Sequence, residues 1–381
     1  MQDSFDTLSE FYWPQPKKVE VPLAKPSLSE IEKLLMIQNF ESTWIGASSP
    51  NIPKLENTFG TYFQSKSLLV SNGSVALMLA LRSLGIQQGD EVLVPSLTYA
   101  ATASSVVNVA AIPVFCDVEL DSWQISPNSI LKMITDKTRA IIVPHTYGVP
   151  ADLTLINEIA HAHNLLVIED SAESFGARYK SKLVGTIGDV GTFSFFPNKL
   201  ITAGEGGLCL TNNNDIYMKM KLLRGQGMSE KFRYIFDEAG YNFRITGMQA
   251  AILEGQFSRF EELFSSRQES EKKYTKLLPE NCIIPNPKYS FSRSPWIFTC
   301  RIIGINVRNK KKLAKVLADK GVETRPVFYP LETMKAFSRY RSDGCLNSHL
   351  ISNEGISFPT GSHVDDSTYS IIAKEVENLC A

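Results

Sequence analysis

The sequence is poor in the features that mark specialised classes of protein. Its six cysteines include no CxxC pair and lie mostly in apolar stretches, so we expect reduced, structural thiols in a reducing cytoplasm. No apolar run approaches ~20 residues and the N-terminal segment lacks the pattern of a secretory signal. We therefore expect neither export nor a membrane partner.

The sequence also lacks an excess of charge of either sign. The 39 basic and 40 acidic residues leave a net charge of −1, which gives no bulk electrostatic reason to expect a nucleic-acid partner. The five histidines lack the spacing of metal ligands, so no metal site is predicted and His145 is interpreted as structural.

What the sequence does contain is a regular alternation of strand and helix patterns from residue 67 onwards. Seven short apolar strands are predicted in SLLV, EVLVP, IPVFCDVE, AIIVP, LLVIED, GTFSF and GLCLT. Alternation with helices predicts an α/β fold in which a largely parallel sheet is covered by helices on both faces. Ligands of such sheets bind beyond the carboxyl ends of the strands.

The predicted organisation has three parts. Residues 1–25 are polar, aromatic and interrupted by proline, which indicates an extended arm rather than a core element. Residues 26–255 form the large domain. Residues 256–381 form a smaller α/β domain. The boundary between the two domains is placed in a long helical run over 245–278.

Lys199 is the first candidate for chemistry. It lies between an aromatic-rich strand and a glycine-rich turn in SFFPNKLITAGEGGLCLT. Most lysines are solvated surface charges, but Asp170 ends an apolar strand about thirty residues earlier, and Tyr99 follows another strand. A lysine that forms a Schiff base and an acid that holds the ring nitrogen protonated are the pair that pyridoxal phosphate requires.

A second candidate is a phosphate site. The segment SNGSVALMLALRSLG places Gly73 and Ser74 directly before an apolar helix, where backbone N–H groups and the helix dipole favour an anion. The alternative is that Asn72 or Ser74 only caps the helix.

Five segments together resemble the DegT/DnrJ/EryC1/StrS sugar aminotransferase family, and the resemblance covers nearly the whole chain. They are SNGS, DEVLVPSLTYAAT, EDSAE, FSFFPNKLITAGEGG and GYNFRITGMQAAI. The resemblance implies the type I fold of pyridoxal-phosphate-dependent transferases, with a mostly parallel seven-stranded sheet in the large domain. It also implies ping-pong transamination through pyridoxal 5'-phosphate and its amine form, with glutamate as amino donor.

The resemblance also implies roles for single residues. Lys199 and Asp170 match the catalytic pair, Tyr99 matches an aromatic stacked on the cofactor ring, and Ser194 matches a hydroxyl at the phosphate. Glu173 falls beside the ring hydroxyl, where many members have glutamine or histidine. Asn242 matches an amide that reaches the phosphate of the neighbouring subunit, which implies a homodimer with shared active sites.

Within the family, STWIG, FFPNK, RGQGMSEKFRY and GVETRPVFYPL look most like enzymes that aminate C4 of a GDP-linked 4-keto-6-deoxyhexose for surface polysaccharides such as O-antigen. That type usually carries histidine after YPL, whereas this chain has Glu332. A 3-ketosugar and a dTDP- or UDP-linked substrate therefore stay open.

Two other functions are compatible with the same fold. The related 3-dehydratases replace the Schiff-base lysine by histidine, and the presence of Lys199 argues against them. A non-catalytic regulatory protein would be expected to lose part of the lysine, aspartate and phosphate set, all of which is present here.

Overall fold

The computed structural model describes residues 12–380, and its centre is a seven-stranded sheet. The strands are β1 (Lys66–Val70), β2 (Glu91–Pro95), β3 (Ile112–Cys116), β4 (Thr138–Pro144), β5 (Leu166–Asp170), β8 (Val190–Ser194) and β9 (Gly207–Thr211), in the order β1-β9-β8-β5-β4-β2-β3. Strands β8, β5, β4, β2 and β3 are parallel, whereas β9 runs antiparallel to both β1 and β8. The predicted mostly parallel sheet is confirmed.

Helices cover both faces because successive side chains of a buried strand point to opposite sides. Val92 and Val94 pack with α3 (Gly73–Ser83), α4 (Ala101–Asn108) and α7 (Asn214–Arg224), whereas Leu93 packs with α5 (Pro127–Met133) and α6 (Leu153–Ala162). A third, phenylalanine-rich cluster joins α2 (Asn51–Phe63) and α8 (Gly247–Ser258) to β8 and β9.

The predicted helical run over 245–278 forms two helices, α8 and α9 (Phe260–Leu277), separated by Arg259. An antiparallel sheet follows, in the order β10 (Cys282–Ile283), β12 (Phe298–Ile302), β14 (Gly355–Phe358), β13 (Arg325–Pro326). Helices α10 (Val307–Asp319) and α12 (Asp366–Cys380) pack on it, and α11 (Leu346–Glu354) precedes β14. A small sheet joins β11 (Phe291–Ser292) to β6 (Arg178–Tyr179) and β7 (Lys182–Leu183). The proposed boundary after residue 255 falls inside α8 and stays a prediction.

The described part of the predicted N-terminal arm makes more contact with the core than an extended arm was expected to make. Residues 12–25 contain no helix and only one isolated bridge, Val21 to Val322, but Trp13 and Leu23 are buried in hydrophobic clusters. Trp13 packs with residues of the C-terminal part, and the cluster around Leu23 draws on both parts of the chain, so this otherwise mostly exposed stretch is anchored to the core at these two side chains. Residues 1–11 of the arm lie outside the described chain.

Helix α1 (Glu30–Glu41) is capped by Ser29, whose hydroxyl forms a capping box with the Glu32 carboxylate. Its burial pattern is unusual. Glu32 is buried, where it accepts a hydrogen bond from Gln256 and pairs with Arg259, while Ile31 and Leu34 are exposed. The apolar stripe of this helix is therefore not covered by any part of residues 12–380. Over residues 12–380 we find no helix long and apolar enough to cross a membrane.

Candidate active site

A cavity of about 480 Å³ lies at the carboxyl ends of the parallel strands. Residues after β2, β4, β5 and β8 meet there with the first turn of α3, as expected for ligand sites of open α/β sheets. Of the eight predicted site residues, seven line this cavity: Gly73, Ser74, Tyr99, Asp170, Glu173, Ser194 and Lys199.

Lys199 lies in the loop that connects β8 to β9. Its Nζ lies 4.0 Å from Glu173 Oε1, and the other Glu173 oxygen accepts a 2.8 Å hydrogen bond from the Tyr147 N–H. Burial lowers the pKa of Lys199 although both nearby carboxylates oppose this, and burial raises the pKa of Glu173 to about 7. Both groups are thus shifted towards their neutral forms, because a low-dielectric cavity disfavours charge.

Asp170 ends β5 with its carboxylate in the cavity. One oxygen accepts a 2.9 Å hydrogen bond from the Thr102 hydroxyl and the other a 3.2 Å bond from the Ala172 N–H. Burial raises the pKa of Asp170 against these bonds. A turn rather than a helix follows this residue, so Asp170 does not cap a helix.

Beneath Asp170 lies a buried pair formed by His145 and Glu169. His145 Nδ1 accepts a hydrogen bond from the Ala151 N–H, which assigns the ring proton to Nε2 and directs it at Glu169 Oε2, 3.1 Å away. The His145 N–H also donates to the Asp170 carbonyl at 3.1 Å. This arrangement fixes the end of β5, in keeping with the structural interpretation of His145.

The first turn of α3 forms a tight anion cradle. A Cβ on Gly73 would lie 2.7 Å from Ser194 Cβ, closer than real atoms approach, so only glycine fits between helix and strand. Asn72 Oδ1 accepts from the Val75 N–H at 3.0 Å, so the capping role falls to Asn72 and not to Ser74. The amides of the first turn have no partner within the helix. Together with Lys199 and Asp170, this cradle fits pyridoxal phosphate.

Two further residues singled out in the sequence do not line the cavity. Asn242 is exposed, and its side-chain oxygen accepts a 3.2 Å hydrogen bond from Arg244. Its role at a neighbour's phosphate stays a prediction. Glu332 accepts from the Ser96 hydroxyl and lies 3.1 Å from His349 Nε2. It therefore ties the segment after YPL to the end of β2 and does not face the cavity.

Sequence reasoning missed an aromatic wall. Ring centroids are 6.0 Å apart for Tyr99 and Phe328, 5.1 Å for Phe328 and Tyr147, and 5.9 Å for Tyr147 and Trp296. Tyr147 has a φ of 55° in a short 3-10 turn, which no sequence pattern announces. Trp296 lies two residues before β12, and its local sequence gives no sign of a place in the cavity. Among residues 12–380 no group of three or more histidine, cysteine or acidic side chains is placed to hold a metal ion.

The chain is similar to known proteins over most of its length. The model of the DegT/DnrJ/EryC1/StrS aminotransferase family matches residues 26–377. A GDP-perosamine synthase of Escherichia coli O157:H7 is 41% identical over 84% of this chain and 87% of its own, and one of Caulobacter vibrioides is 37% identical over 89% and 93%. A Streptococcus pneumoniae structure, described as a sugar aminotransferase in its PLP form, has a TM-score of 0.88 at 23% identity and covers 94% of this chain and 98% of its own. This last likeness bears on the fold alone.

Proposed function

Because the chain belongs to the DegT/DnrJ/EryC1/StrS aminotransferase family, we propose that it transfers an amino group from glutamate to C4 of a GDP-linked 4-keto-6-deoxyhexose, GDP-4-keto-6-deoxymannose. The enzyme is a pyridoxal-phosphate-dependent transaminase. The observation that carries the proposal is the convergence of Lys199, Asp170 and the Gly73 cradle on one cavity.

We assign tasks to five residues of the cavity. Bound pyridoxal phosphate supplies an electron-accepting ring and the carbon that carries the amino group between the two substrates. Gly73, Ser74 and Ser194 hold its phosphate, and the Asp170 carboxylate keeps a proton on the ring nitrogen. Lys199 anchors the cofactor and afterwards moves a proton to and from the substrate carbon with its amine.

The choice of a GDP-linked 4-ketosugar is supported by the two relatives named above, both GDP-perosamine synthases. The departure at Glu332 does not weaken it, since this side chain bonds Ser96 and does not line the cavity. Arg325 is the other cation of the cavity wall besides Lys199 among the described residues. It is half-exposed, which suits the diphosphate of a nucleotide sugar.

The test is a half-reaction. Protein carrying the cofactor in its amine form is offered GDP-, dTDP- and UDP-linked 3- and 4-ketosugars, and the products are identified by mass and by the position of the amine. We expect a 4-amino sugar from the GDP-linked 4-ketosugar and none from the Lys199→Ala variant. Amination of only a dTDP- or UDP-linked sugar, or at C3, contradicts the substrate assignment. No amination of any ketosugar favours the regulatory alternative.

We further propose that the active protein is a homodimer with shared sites. Asn242 is exposed and outside its own cavity, and α1 presents Ile31, Leu34 and Ile37 to solvent together with the nearby Trp44. Such an apolar patch on a folded protein indicates an interface with another chain. A second copy satisfies both observations, because a two-fold axis repeats each surface on its partner.

Complementation tests this arrangement. Homodimers of Lys199→Ala and of Asn242→Asp are expected to be inactive, the latter because a carboxylate at the phosphate is repulsive. In the heterodimer, one site combines the lysine of one chain with the asparagine of the other and is whole. The isolated heterodimer should therefore recover about half of the wild-type activity per dimer. A folded heterodimer as inactive as its parents contradicts the shared site.

A further inference from the structure

The Lys199 amine lies over the face of an aromatic ring from the C-terminal part of the chain. Its Nζ is 4.1 Å from the centroid of Trp296. Trp296 precedes β12, is only 5% exposed, and lines the cavity. An ammonium ion over an indole face is attracted by the ring quadrupole, and the attraction grows when water is excluded.

A network of hydrogen bonds holds the indole and the lysine backbone in fixed relation. Trp296 Nε1 donates to the Asn198 carbonyl at 2.9 Å. The buried Arg267 guanidinium of α9 donates to the carbonyls of Trp296, Lys199 and Asn198 at 2.8, 2.9 and 3.3 Å. The Tyr147 ring also stacks with the indole, at a centroid distance of 5.9 Å and an interplanar angle of 26°. The indole is therefore held through its ring nitrogen, its backbone carbonyl and a ring contact.

We propose that Trp296 is a positioning residue that holds the free, protonated amine of Lys199 whenever the lysine is not bonded to the cofactor. This inference rests on the proposed transamination, in which the lysine must be released and must carry a proton. Glu173 and Asp170 are the carboxylates that face the amine, and Arg267 is the cation behind it. None of these charges reaches the amine within an ordinary hydrogen-bond distance, since the nearest carboxylate oxygen is 4.0 Å away. The indole face, with its centroid 4.1 Å from Nζ, thus lies as close to the amine as the nearest carboxylate oxygen does, and it adds a second stabilising contact for the ammonium form.

The test measures the ionisation of Lys199 directly and without turnover. Protein carrying the cofactor in its amine form, in which the lysine is free, is labelled with trace acetic anhydride between pH 6 and 10. The extent of labelling at Lys199 is read by mass spectrometry against the exposed Lys312. In Trp296→Leu, we expect the midpoint of the Lys199 profile to fall and its labelling at a fixed pH near neutrality to rise about tenfold, because a desolvated cation–π contact is about that strong.

Fluorinated tryptophan gives a second measurement that leaves the shape of the site intact. The chain has four tryptophans, and Trp296 is the one found under Lys199. Substituting fluorotryptophans with one to three fluorines should lower the Lys199 midpoint step by step, because fluorine withdraws charge from the ring face. In a Trp296→Phe background the same substitution should have no effect on Lys199.

The alternative outcomes are distinct. A merely structural indole would admit water when lost, which moves the Lys199 midpoint upwards. The proposal is overturned if the Lys199 midpoint rises, or if it is unchanged by both fluorination and Trp296→Leu. Because the measurement needs no ketosugar, it stands apart from failure of the substrate assignment.

Discussion

Glu173 should make the cofactor-free protein less stable as the pH rises. Its carboxyl pKa lies near 7, raised from 4.5 chiefly by burial. A raised carboxyl pKa contributes stability that is complete below pH 4.5 and is lost as the pH passes 7, because the unfolded chain releases its proton first. At about 1.4 kcal/mol per pH unit the loss amounts to about 3 kcal/mol.

Replacement of Glu173 by glutamine removes this titration and keeps the shape of the side chain. We expect the free energy of unfolding of Glu173→Gln, relative to wild type, to increase by up to about 3 kcal/mol between pH 5 and pH 8. The assay is urea unfolding of the cofactor-free proteins across that range, with the exposed Glu261→Gln as matched control. In a Lys199→Met background the midpoint of the effect should move to higher pH, because the cation that favours the Glu173 carboxylate is gone. A constant difference between Glu173→Gln and wild type would refute the buried, proton-retaining carboxyl.

Three other outcomes are expected at the cavity. Lys199→Ala should bind the cofactor but lose several orders of magnitude in turnover, and borohydride should fix the cofactor to the wild-type peptide that contains Lys199 and to no other. Asp170→Asn should retain the cofactor, seen by its absorbance, yet slow proton removal from glutamate in stopped-flow by at least a hundredfold, on the order of a lost general acid–base group; near-normal rates would exclude the ring-nitrogen role. Gly73→Ala should weaken equilibrium binding of pyridoxal phosphate roughly tenfold through the clash with Ser194 Cβ, as an overpacking cost of ~1–3 kcal/mol implies. In a Ser194→Gly background, which lacks that Cβ, adding Gly73→Ala should weaken binding much less than it does in wild type, and an equal loss in both backgrounds would locate the defect elsewhere.

The residues that could be predicted from the sequence are those whose position follows from strand ends. Asp170 and Lys199 flank apolar strands, and the carboxyl ends of parallel strands meet at one edge. Gly73 could be predicted for a similar reason, because a glycine directly before an apolar helix is a local sequence signal of an anion site.

The remainder of the site depends on long-range packing. Trp296 and Phe328 reach the cavity only because the C-terminal sheet docks beside it, and nothing in their local sequence specifies that docking. The same holds for α1, because its outward-facing apolar stripe does not follow from its local sequence. In α1, Gln256 and Arg259 bind the Glu32 carboxylate and hold it in the interior. This pairing decides which face of the helix is buried, in place of its apolar residues.

The antiparallel strand β9 gives the site a particular order of assembly. The β8–β9 hairpin that carries Lys199 joins residues close in the chain, such as Ser194 and Gly207, whereas β9 reaches β1 by pairing Thr211 with Lys66. Local pairings form early, while closing a long loop is slow. The loop that carries Lys199 can thus form well before the Gly73 cradle, which follows β1, packs against it. Pyridoxal phosphate, which needs both, is therefore a ligand of the completed sheet only, and its capture during refolding marks the moment at which the two ends of the large domain close.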